Sequence, residues 1–185
     1  MAQSLKCQIV VAVSAMTADY VEITPKDLCQ VCDVAAAHDV RIALEFPGTA
    51  AEIRNLATAW KVVRESQNEN LGLVIDTFHF LLGGSRMEDM KGIPAEKIFL
   101  VHVSDAMDVS DRKLRTHHDY RTFPGDGIID YDPLLQELAE KDYQGAFSLE
   151  IWNQKLLESD AREVAGKGFE SLKNLMRRTK YHEKR

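Results

Sequence analysis

No stretch of the 185-residue chain strings together the roughly 18 apolar residues that a membrane-spanning helix needs, so no membrane partner is expected. Basic charge is not in excess. Against 29 Asp and Glu stand 23 Lys and Arg, a formal net charge of −6. A nucleic-acid backbone wants a basic face, so nucleic acid is not expected as a partner either. The locally basic end, Lys173 to Arg185, reads as the solvated end of a helix and a tail. Cysteine is scarce. Cys7, Cys29 and Cys32 cannot build a disulfide framework, which points to a reducing, cytoplasmic setting. Cys29 and Cys32 form a CxxC with no second ligand pair at zinc-like spacing, so packing is their expected role. Low-complexity tracts, short-period repeats and an internal boundary are also lacking, which leaves one domain over residues 1–185.

What the chain does have is a series of short apolar runs rich in β-branched residues: Gln8–Val13, Arg41–Phe46, Leu71–Asp76, Lys97–Val103 and Ala146–Ile151. They are continuous rather than alternating, as strands buried on both faces are. The first follows Lys6 closely but reads as a strand rather than a signal segment. Helical segments fall between and after the runs. Thr24-Pro25 supplies a cap and a first-turn proline for a helix reaching about His38. Thr49 is placed to cap a second, from about Ala50 to Glu65, and Arg86–Lys91 fits a shorter one. Asp132-Pro133 repeats the cap-plus-proline signal, and Ser159-Asp160 opens a last helix to about Arg178. This β-α order predicts an α/β fold with a parallel sheet and right-handed crossovers.

The ionisable residues of these strands gather at one end. Glu45 closes the second run, Asp76 the third with His79 three positions on, His102 and Asp105 the fourth, and Glu150 the fifth. In parallel α/β sheets the carboxyl ends of the strands are where ligands bind. A carboxylate at one strand end is readily a salt-bridge partner. One on each of several neighbouring strands at the same depth is costly without a shared counterion. Glu45, Asp76, His102 and Glu150 make a set of carboxylates and one imidazole, suited to a divalent metal ion: Mn²⁺, Mg²⁺, Co²⁺ or Zn²⁺. His79 is expected to face a substrate. The long connection from Asp105 to Tyr131 carries RTHHDYRTFPGDG, and its Arg121 is a candidate to hold a substrate oxygen. Asp105 is expected to orient His102 or to bind substrate. Of the adjacent His117 and His118, one is expected to face solvent.

The runs RIALEFPG, GLVIDTFHF, KIFLVHVSD, RTFPGDGIIDY and SLEIWN, taken in order, resemble the xylose-isomerase-like TIM-barrel superfamily. They are most similar to its sugar phosphate isomerase/epimerase group, which includes 2-keto-myo-inositol isomerases and inosose dehydratases. The resemblance implies a (β/α)8 barrel. It also implies a metal held by Glu45, Asp76, His102 and Glu150, a substrate-contacting His79 and Arg121, and a proton shuttled between Glu45 and Glu150. The partner it implies is a small-molecule sugar or cyclitol. Only about five βα units are present, corresponding to the last five of such a barrel, whose typical length is about 250 residues. The chain is then a fragment, a truncated product, or a protein that completes itself as a homo-oligomer. A 3-dehydroshikimate dehydratase or inosose dehydratase type of lyase using the same metal is the second reading. A non-catalytic barrel remnant is the third. An apurinic-site endonuclease, which shares the barrel, needs more ligands and a basic face, and neither is visible.

Overall fold

The computed structural model describes residues 1–13, 25–108 and 118–178. Its main sheet has five strands in the order β1-β2-β3-β4-β7, that is Ile9–Val13, Arg41–Glu45, Leu71–Asp76, Ile98–Val103 and Ala146–Leu149. All four pairings are parallel and each strand lies beside its predecessor in the sheet, as the run of βα units requires. A two-stranded antiparallel ribbon, β5 (Asp105–Ala106) with β6 (Arg121–Thr122), sits in the long connection after β4. The helices are α1 (Pro25–Ala36), α2 (Leu56–Ser66), α3 (Thr77–Leu82), α4 (Asp132–Glu140), α5 (Gln154–Leu157) and α6 (Ala161–Arg177).

Successive strand residues point to opposite faces, and the two faces differ in kind. Ile42, Leu44, Leu73, Ile75, Val101 and Val103 point toward the helices and form the main core with residues such as Leu56, Ala59 and Leu138. Cys32 lies in that core, where burial pushes its thiol up to about 11. Cys29 is half-buried, its Sγ 3.5 Å from the Ser66 carbonyl. The opposite face carries a smaller cluster of Ala43, Val74 and Phe99, with Ile9, Val11 and Leu100 against it. Here the Arg41 guanidinium stacks on the Phe99 ring at 4.3 Å.

Gly72 makes room for that ring. A Cβ at Gly72 would stand 2.7 Å from three Phe99 ring carbons, below any contact a side chain tolerates. Gly72→Ala is therefore expected to destabilise the fold by about 1–3 kcal/mol through overpacking, read as a lower urea midpoint with unchanged slope. Gly72→Ala combined with Phe99→Leu should recover much of the loss.

Several expectations shift by a few residues, each for a local reason. The Thr24 cap lies outside the described residues. The second helix starts at Leu56 rather than Ala50, because Asn55 makes a full capping box: its Oδ1 accepts from Thr58 N at 3.0 Å, and Thr58 Oγ1 accepts from Asn55 N at 3.3 Å. Thr49 instead belongs to a turn closed by Ala50 N donating to the Pro47 carbonyl at 2.9 Å. Asp132 is the first residue of α4 rather than its cap; Tyr131 occupies the cap position without a side-chain bond. Arg86–Lys91 forms only a 3₁₀ turn, Met87–Met90. Asp160 caps α6 as expected, its Oδ1 accepting from Arg162 N and Glu163 N at 2.9 and 3.0 Å.

Candidate metal centre

Glu45 and Asp76 are the last residues of β2 and β3, His102 is the penultimate residue of β4, and Glu150 follows β7. Asp76 and His102 are direct register partners, and Ser148, two residues before Glu150, pairs with His102. Glu150 N still donates to the Val103 carbonyl at 3.0 Å, so the ladder carries this residue one step beyond the strand. The period of two puts all four side chains on the face away from the helices, in line with Ala43, Val74 and Leu100. Their ligand atoms lie within 4.8 Å of one another. His102 Nδ1 is 3.0 Å from Glu45 Oε1 and 3.3 Å from Glu150 Oε2.

Burial makes this a high-energy arrangement of charge. Asp76 is wholly buried, and its neighbours answer with specific bonds. One carboxylate oxygen caps α3 by accepting from His79 N at 2.8 Å; the other accepts from Arg121 Nη1 at 2.9 Å. The charge and imidazole at the mouth of β3 are thus joined by a short helix whose cap is Asp76 itself. Burial pushes the Asp76 carboxyl up, against the pull of Arg121. Burial also acts on His102, favouring its neutral form, but its hydrogen bonds to Glu150 and Glu45 win and raise it to about 10. Glu150 moves the other way: desolvation would raise it, yet the bond and charge of His102 and the charge of Arg121 hold it at about 2.

His79 is buried, and burial lowers its pKa. Gly48 N donates to its Nδ1 at 3.1 Å, and Arg121 Nη2 lies 3.1 Å from its Nε2. A neutral imidazole has one acceptor nitrogen, so it satisfies one of these two donors. Arg121 is sealed in, 1% exposed, over the Phe78 ring at 4.5 Å. Its Nη1 also lies 2.9 Å from Ser104 Oγ and 3.1 Å from the Glu150 carbonyl.

Asp105 departs from expectation. It neither orients His102 nor offers a free oxygen; its described hydrogen bonds all come from backbone amides. Oδ1 accepts from Ala106 N and Ile129 N at 2.8 and 2.9 Å, and Oδ2 from Gly125 N and Gly127 N at 2.9 and 3.1 Å. Sequence reasoning alone misses Asn153 as a site residue. It is buried, with Nδ2 donating to the carbonyls of Asp119 at 2.8 Å and Arg121 at 2.9 Å. The sequence signal was there: an Asn two residues before a Lys, ahead of an apolar pair, is a helix cap, and its Oδ1 accepts from Lys155 N at 3.0 Å. His117 and the side chain of His118 lie outside the described residues.

Three carboxylates and one imidazole converging from adjacent strands fit a divalent ion of the Mn²⁺, Mg²⁺, Co²⁺ or Zn²⁺ kind. A curled parallel half-barrel with such a cluster at its strand ends defines a class, and the comparisons name it. Residues 1–175 match the xylose isomerase-like TIM barrel family, and the chain belongs to that family. It is 31% identical over 183 residues to a 3-dehydroshikimate dehydratase of Pseudomonas aeruginosa, covering 97% of this chain and 29% of that protein. It is 34% identical over 138 residues to the inosose isomerase of Bacillus subtilis, covering 74% of this chain and 49% of that protein. The chain thus spans about half the length or less of these relatives. The crystal structure of the IOLI protein with a bound zinc atom superposes with a TM-score of 0.82 at 29% identity, over 92% of this chain and 63% of that one. Among the described residues no helix is long and apolar enough to cross a membrane.

Proposed function

We propose that the chain carries the catalytic strands of a divalent-metal-dependent isomerase or epimerase of keto-sugars or inososes, acting by proton transfer alpha to a carbonyl. The observation that carries this reading is the convergence of Glu45, Asp76, His102 and Glu150 from four adjacent strands onto one spot. These four residues would hold the ion, and a bound divalent ion supplies Lewis-acid polarisation of the substrate carbonyl. Of the three carboxylates Glu150 is the most open, its side chain 29% exposed against 8% for Glu45. Glu150 takes the proton from the carbon next to the carbonyl, and the electron pair left behind moves toward the carbonyl oxygen. Glu45, which meets the same His102 Nδ1, starts the cycle protonated and delivers that proton to the same or the adjacent carbon; exchange with water then takes the proton from Glu150 and restores the one on Glu45. His79 steadies a substrate oxygen, and Arg121, sealed in beside it, holds the Asp76 carboxylate.

The similarity to inosose isomerases supports the isomerase reading. The similarity to 3-dehydroshikimate dehydratases over 97% of the chain supports a lyase using the same cluster as the second. One experiment addresses both. Protein incubated with Mn²⁺ in deuterated water is given an inosose, and separately 3-dehydroshikimate. Loss of a substrate C–H signal with the first, dependent on the metal, is the expected result. A rise in absorbance from an aromatic product with the second, and none of the exchange, favours the lyase. Neither change with any ketose or cyclitol tried, in metal-loaded protein, sinks the catalytic reading.

A further inference from the structure

The buried guanidinium of Arg121 lies behind the cluster, yet little in its own segment fixes it. Arg121 belongs to β6, a strand of two residues inside the long β4–α4 connection. A strand that short does not hold its register alone. Two buried polar side chains, neither with a part in the proton transfer, fasten it from opposite sides. Asp105, the first residue of β5, gathers the amides of Ala106, Gly125, Gly127 and Ile129 on its carboxylate. Gly127 packs so closely on Asp105 and the Ala106 carbonyl that a Cβ there has no room. Met107 N donates to the Tyr120 carbonyl at 2.8 Å, closing the ribbon. From the far side Asn153, beyond β7, ties the carbonyls of Asp119 and Arg121.

We propose that Asp105 and Asn153 are positioning residues that act through Arg121: they hold the β5–β6 ribbon so that the guanidinium sets the Asp76 carboxylate in the orientation a cation requires. The proposal rests on the reading of the four-residue cluster as a cation site. Asp76 has one oxygen committed to the α3 cap, so the other depends on Arg121 for its direction. Partners that orient a ligating carboxylate in this way typically account for 10–100-fold in metal affinity. Asp105→Asn is the informative change at the first clamp. It keeps the shape but aims an NH₂ group at amides that need an acceptor.

The test is a double-mutant cycle read by Co²⁺ titration, followed by the visible absorption of the bound ion. Arg121→Gln is expected to weaken Co²⁺ binding about 10–100-fold, and Asp105→Asn and Asn153→Ala to weaken it comparably. In the Arg121→Gln background, Asp105→Asn and Asn153→Ala should each add less than about twofold, because residues that act through one partner are not additive. Amide exchange over residues 121–129 should speed up in both clamp variants while β2–β4 stay protected. Full, multiplicative losses in the double variants overturn the proposal, as does wild-type affinity in the single clamp variants. If Asp105→Asn fails to fold, the Asn153→Ala arm decides alone. Wild-type protein that binds Co²⁺ but exchanges no substrate proton defeats the catalytic reading and leaves the cycle standing. Normal exchange with additive losses does the reverse. No Co²⁺ binding at all removes the cation site and the proposal with it.

Discussion

Glu150→Gln, assayed at saturating Mn²⁺, is expected to lower the rate of substrate deuterium exchange by roughly 100- to 10,000-fold, the usual contribution of a positioned proton-transfer group. Saturation matters because Glu150 serves two roles in the proposed reaction, as ligand and as base. The amide keeps an oxygen that can ligate, so part of the metal affinity survives; it cannot accept the proton. A large loss at saturating metal therefore belongs to proton transfer. Glu45→Gln gives the partner experiment. If the two glutamates divide the work between removing and returning the proton, exchange at the first carbon persists better in Glu45→Gln than isomer formation does. Equal loss of both activities in both variants would speak against a division of labour. Full activity in Glu150→Gln would end its assignment as the base.

That assignment follows from features of unequal legibility. The inner strands β2, β3 and β4 are legible because residues buried on both faces have no choice but to be apolar, while the edge strands β1 and β7 keep the same apolar character though only partly buried, and the four polar exceptions stand out at the strand ends. Glu45, Asp76, His102 and Glu150 were found that way, and the structure brings their ligand atoms within 4.8 Å. The bonds that hold the site were harder to read because their partners are backbone groups far along the chain. Asp105 and Gly127 are 22 residues apart, and Asn153 reaches back 32 residues to the Arg121 carbonyl. An Asp followed by a distant Gly carries no periodic signal, and a carboxylate gathering amides looks in sequence like a carboxylate awaiting substrate. The start of α2 is ambiguous in the sequence for a related reason. Thr49 and Asn55 are both acceptable caps, and only the capping box with Thr58 decides between them. The short α3 is not legible in the sequence because its cap, Asp76, is also the end of β3.

Metal affinity is expected to climb about tenfold per pH unit between pH 6.5 and about 9, with one proton released for each ion bound. The ring nitrogen of His102 that faces Glu45 and Glu150 is Nδ1, and in the metal-free protein those two carboxylates raise its pKa from 6.5 to about 10. A cation bound there displaces that proton, because only the neutral ring offers Nδ1 as a ligand. The same shift sets the stability of the metal-free fold. The folded value of His102 lies above its unfolded one, so its contribution is fully present below pH 6.5 and is lost as the pH rises through 10. Glu150 is depressed from 4.5 to about 2, so its contribution is present above pH 4.5 and is lost as the pH falls through 2. These are two views of one ion pair and are not to be added. The metal-free protein should then be most stable between about pH 4.5 and 6.5 and weaken toward pH 10. With Mn²⁺ bound, the ion replaces the proton between the carboxylates and the alkaline loss should shrink. Thermal melts with and without Mn²⁺ across pH 5–10, beside a Mn²⁺ titration at each pH, measure both effects. His102→Gln should flatten the slope of affinity against pH as well as weaken binding. Affinity that is level from pH 6.5 to 9 in the unaltered protein would mean that His102 is already neutral, or that the ion is held by other groups.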